Sequence, residues 1–131
     1  GGGVLAPERV RFVVQNNRTL YLTNPDSRGA CNWSSIGGTV VDLENRAVRG
    51  YRVQLIGDDV NETLETGSSP GFGPGGFEYQ IGRDAVELSF TAQLFDPSGA
   101  PVSDVYRFNT SSRCDWNIAV LRFVEIPQSD S

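Results

Sequence analysis

Apolar and polar residues alternate with a period of two along most of this chain, and no segment carries the three-to-four spacing of an amphipathic helix. In Arg9 to Gln15, Val10, Phe12 and Val14 share one side. In Thr19 to Thr23, Leu20 and Leu22 lie opposite Tyr21. Ile36 to Leu43 reads as the next strand, and Tyr51 to Gly57 turns Tyr51, Val53 and Leu55 to one face. Asp58 to Thr66 suits a short edge strand. Alternation resumes at Phe77, Tyr79 and Ile81, continues over Leu88 to Phe95, and closes with Val105 to Phe108 and Asn117 to Ile126. The last of these is apolar on both faces, as a strand with neighbours on either side requires. Eight or nine short strands with turn residues between them predict an antiparallel all-β sandwich of the immunoglobulin-like class.

Two stretches punctuate the pattern. Residues 67–76, Gly-Ser-Ser-Pro-Gly-Phe-Gly-Pro-Gly-Gly, support neither helix nor strand. The segments Asp42 to Val48 and Asp96 to Val102 echo each other, each opening on Asp and placing Asn45 or Gly99 at the same step. Asn and Gly best tolerate the left-handed backbone of a tight turn, and the leading Asp can accept turn amides. Two similar hairpins are expected there.

Composition narrows the class. The 131 residues suit one domain, read as residues 8–127, with 1–7 a linker or cloning remnant and 128–131 a tail. The net charge of -5 disfavours nucleic acid and anionic membrane surfaces as partners. No apolar run is long enough to span a bilayer, so no membrane insertion of this segment is expected, and anchoring through a segment before residue 1 is compatible with that. All 11 basic residues are Arg, which fits a GC-rich, bacterial coding sequence.

The two cysteines stand in matching Cys-x-Trp segments, Cys31-Asn32-Trp33 and Cys114-Asp115-Trp116, each just before an apolar run. Free thiols and a metal site are the alternatives, but two lone thiolates without His seldom hold zinc. A Cys31–Cys114 disulfide is expected, and with it an extracytoplasmic location, secreted or at the cell surface.

Gly38-Thr39-Val40-Val41-Asp42, followed by Asn45 to Val48 and Gly50-Tyr51-Arg52-Val53-Gln54-Leu55, resembles the opening of carboxypeptidase regulatory-like domains. These are transthyretin-like, or prealbumin-like, β-sandwiches attached to many secreted and cell-surface proteins. Asn45 and Ala47 replace the Gly and Pro usual in that family's turn. The resemblance implies an accessory or adhesive role and brings no catalytic residues. Related collagen-adhesin repeats are often braced by a Lys–Asn isopeptide bond, which a chain without Lys cannot form.

Candidate chemistry is sparse. The absence of His and Lys excludes Ser-His-Asp, Cys-His and Ser-Lys nucleophile systems and a Schiff base. Among the 16 Asp and Glu residues no spacing singles out a glycosidase pair, so no enzyme and no cofactor is expected. Gly71 to Gly76 matches G-x-G-x-x-G formally, but without a following helix it cannot cradle a pyrophosphate. Asp58, Asp59, Asn61 and Glu62 put several oxygen donors in one short turn and form a calcium candidate. Trp33, Trp116 and Phe72 are candidate ligand contacts, and Trp33, Trp116 and Tyr21 would serve a carbohydrate-binding module. Asn17, Asn32, Asn61 and Asn109 open glycosylation sequons. The expected function is a non-catalytic structural or interaction module with an unidentified protein or glycan partner. Carbohydrate binding is the alternative, and a carboxylate enzyme is third.

Overall fold

The computed structural model describes residues 10–23, 31, 33–57, 59–82 and 85–128. The expected linker at 1–7, Asp58, the Asn32 sequon and all of the tail except Gln128 lie outside them. Nine strands are present: β1 Phe12–Val14, β2 Leu20–Leu22, β3 Ser34–Val41, β4 Arg52–Gly57, β5 Val60–Glu65, β6 Gly76–Gly82, β7 Ser89–Phe95, β8 Tyr106–Asn109 and β9 Ile118–Glu125. They form two sheets, one ordered β1-β9-β3-β6 with β2 also on β9, the other β5-β4-β7-β8. This is the predicted all-β sandwich.

Alternation dictates the packing. The inward positions Phe12, Ile36, Val40, Val53, Leu55, Phe77, Leu94, Leu121 and Phe123 are all but fully buried in one continuous core. β9 is central, as its two apolar faces require: β3 runs parallel to it on one side, while β1 and β2 run antiparallel to it on the other. β1 and β2 are two parts of one edge. Gln15–Asn17 interrupts it with a turn of 3-10 helix in which Asn16 and Asn17 take φ of 57° and 49°.

One expectation is corrected by the topology. The Asp42 and Asp96 segments do adopt the same turn, but only Asp96 joins two paired strands, β7 and β8. The Asp42 turn closes a single bridge, Val41 to Ala47, and the chain then crosses to the other sheet to begin β4. Local turn chemistry is the same at both. The difference lies in whether the strand leaving the turn finds its ladder in the same sheet.

Gly67 to Gly75 forms no strand and contains a turn of 3-10 helix at Pro70–Phe72. The loop folds back onto β3, with the Phe72 ring filling the space where a Gly37 side chain would stand.

Candidate functional site

The candidate residues gather mainly at the end of the sandwich where β3 and β9 begin. These neighbours run parallel, with Ser35 opposite Ile118. A cysteine a few residues before each strand therefore reaches the same end. Cys31 and Cys114 are joined there, 4.6 Å apart at Cα and 83 residues apart in sequence. Cys31 is exposed and Cys114 half-buried.

Around this bond stands an aromatic and ionic cluster. Trp116, in the 3-10 turn Cys114–Trp116, is stacked on Tyr21 with centroids 5.6 Å apart and planes 20° from parallel. The Arg113 guanidinium lies 3.9 Å from the centre of the same indole. Arg113 also pairs with Asp115 at 2.7 Å, and this hydrogen bond lowers the Asp115 pKa. The Thr23 hydroxyl donates to the Asp115 carbonyl. The Tyr21 hydroxyl donates to the Asn109 carbonyl on β8 at 2.7 Å, and Thr19 and Tyr106 share a hydroxyl hydrogen bond of 2.9 Å. The Tyr21 pKa is raised, first by burial and then by the neighbouring Tyr106 and Glu87. The cluster thus stitches the β2 edge of one sheet to the β8 edge of the other.

A sugar platform needs open aromatic faces side by side. Tyr21 and Trp116 stack on each other instead, and the guanidinium engages the indole further. Trp33 is half-buried, and its Nε1 donates to the Ser35 hydroxyl at 3.2 Å. Phe72 is packed over Gly37. The structure therefore joins Tyr21 with Trp116 and leaves Trp33 and Phe72 in separate packing roles.

The acidic turn is spread rather than convergent. Asp59 occupies the β4–β5 turn at φ 59°, while Asn61 and Glu62 are consecutive in β5 and so point to opposite faces. Asn61 accepts a 3.4 Å hydrogen bond from Gln54. Among the described residues no three His, Cys, Asp or Glu side chains gather as metal ligands. Asp42 and Asp96 are committed to their turns: each carboxylate accepts the backbone amides two and four residues on, at 2.8–3.0 Å. A concavity of about 410 Å³ on the β4-β7-β8 sheet is lined by Ile56, Ser89, Phe90, Thr91, Arg107, Phe108 and Asn109, with no carboxylate among them.

Period-two reasoning did not single out the outward apolar residues of the β1–β2 edge. Leu20 and Leu22 are 47% and 51% exposed, opposite Val120 and Ile118, while Tyr21 faces inward. The signal lay in the sequence as Leu-Tyr-Leu, in which either face could be the buried one.

No family model and no curated protein matches the chain. A solved structure described as the Bacillus anthracis TIE protein is similar, with a TM-score of 0.53 at 13% identity over 72% of this chain. The match takes up 16% of that much longer chain, and at this identity the likeness concerns the fold alone. What the comparison supports is a β-sandwich.

Proposed function

We propose that the chain is a non-catalytic structural or protein-interaction module working outside the cytoplasm. The observation that carries this reading is the Cys31–Cys114 bond across the starts of two central strands, since such bonds persist in oxidising compartments. The carboxypeptidase regulatory-like pattern of Gly38 to Leu55 points to the same accessory role. The likeness to a stretch of a longer chain fits a module that serves within a larger protein. Every strongly placed polar side chain of the candidate cluster holds structure: Arg113 holds Asp115, and Tyr21 holds β8.

Two measurements test this. Protein recovered from its natural source is alkylated without reduction and weighed: a mass lacking two alkyl groups is expected, and two modified thiols would remove the case for export. A glycan array with and without calcium should stay blank. Binding abolished by Trp116→Ala or Trp33→Ala would replace this reading with the carbohydrate one.

A further inference from the structure

Sheet edges are where a sandwich meets other chains, because each leaves a row of unpaired amides and carbonyls. Three of the four edges here are blunted. The β1–β2 edge is broken by Gln15–Asn17. β5 carries Glu62 and Glu65. β8 is four residues long, includes Arg107, and has its Asn109 carbonyl taken by Tyr21. β6 differs: it spans seven residues, contains no Pro, and has Glu78 as its one charge.

The ladder fixes which groups of β6 are free. The Ser35 amide donates to the Asn117 carbonyl, so alternate residues from Ser35 along β3 direct their backbone to β9. Ile36 and Gly38 then direct theirs to β6, where they face Tyr79 and Phe77. The amides and carbonyls of Glu78 and Gln80 are left pointing away from the sheet. Gly76, in the same phase, confirms the direction, because its carbonyl accepts the Gly67 and Ser69 amides from outside the sheet. Between that loop and the irregularity at Ser34/Ser35, Glu78 to Gln80 form a regular edge with no described strand beyond it. Tyr79, on the inward side, is only half-buried against the core.

We propose that this edge pairs antiparallel with β6 of a second copy of the chain, about a two-fold axis at Tyr79. The edge is self-complementary in that register. Glu78 faces Gln80 of the other copy, and each pair exchanges two backbone hydrogen bonds. On the outward side the Glu78 carboxylate accepts the Gln80 amide, and on the inward side the two Tyr79 rings meet at the close, non-hydrogen-bonded position. A register centred on Glu78 would set two carboxylates opposite each other. The sheet would then run unbroken through both copies.

Sedimentation of the full chain across a concentration series, from micromolar to millimolar, tests the pairing. A monomer–dimer equilibrium is expected. Gln80→Glu sets carboxylate against carboxylate twice and should weaken the dimer about tenfold, while Gln80→Lys should strengthen it by a similar factor. Gln80→Pro removes an amide that points away from β3 and bonds no other described residue, so it should abolish the dimer. Circular dichroism and thermal melting establish that each variant is folded, and the two charge variants decide the matter if the proline variant is not. A chain monomeric at every concentration overturns the proposal. So does a dimer indifferent to the charge at position 80, or an edge occupied only by a foreign peptide.

Discussion

Asp42 and Asp96 show how one side chain can set a turn. In both, the Asp amide bonds the carbonyl four residues on, and the amide three residues on returns to the Asp carbonyl. The carboxylate accepts the amides two and four residues on, and Asn45 or Gly99 supplies the left-handed step at φ 63° or 91°. Asn45 does more than replace a glycine, because its Oδ1 accepts Arg122 Nη2 at 2.7 Å and so ties the turn to β9. The Asp42 pKa is lowered first by the Arg46 amide, and the Asp96 pKa by the Ser98 hydroxyl and then the Ala100 amide. A carboxyl whose folded pKa lies below the ordinary 3.8 stabilises the fold above that value. The contribution fades as the pH falls through 3.8 toward the lowered folded value. Urea melts at intervals from neutral to strongly acid pH should therefore show stability falling below about pH 4. The Asp42→Asn/Asp96→Asn double variant, which cannot titrate there, should show a shallower fall; an unchanged slope would mean that other carboxylates govern it.

The elements show where alternation informs and where it stops. Nine strand positions, the central place of β9 and the irregular Gly67 to Gly75 loop follow from period two, from the doubly apolar final strand and from Gly-Pro density. Two things do not follow. Whether Leu-Tyr-Leu buries its leucines or its tyrosine depends on the Asn109 carbonyl that Tyr21 finds across the sandwich and on the Tyr106 hydroxyl that Thr19 finds beside it. Whether the Asp42 turn starts a hairpin or a crossing depends on which sheet offers β4 a free edge. The candidate site was legible as a pair of Cys-x-Trp segments, but the Arg113–Trp116–Tyr21 stack needs β2 beside β9. Two adjacent glycines of β3 make a further contrast. A methyl group at Gly38 would run into the Leu121 carbonyl of the neighbouring strand as well as the Phe77 ring. One at Gly37 would first meet the outer atoms of the Phe72 ring, a side chain that can swing away. Gly38→Ala should cost about 3 kcal/mol or more because backbone must move, and Gly37→Ala about 1 kcal/mol. Denaturant midpoints of the two variants check this, and equal losses would show that β3 can shift away from β9.

At the scale of the molecule, the disulfide's effect depends on what it encloses. The loop from Cys31 to Cys114 contains β3 through β8, and only β1, β2 and β9 lie outside it. A chain without Lys has no isopeptide brace to share this task. Closing a loop of 83 residues removes chain entropy from the unfolded state worth about 4–5 kcal/mol in the loop-entropy model. For a domain of this size a kilocalorie corresponds to about 3–4 °C in Tm. Reduction, or the double Cys31→Ser/Cys114→Ser variant, should lower Tm by about 15 °C while leaving the sandwich folded at room temperature. The alternative is a bond that merely holds the segment before β3 in place, and it has a different signature. In that case Tm would move by only a few degrees, and faster amide exchange would be confined to the residues flanking Cys31. A large shift with protection lost evenly across β3 through β9 would instead identify the bond as a constraint on the whole fold, as its placement across two parallel central strands requires.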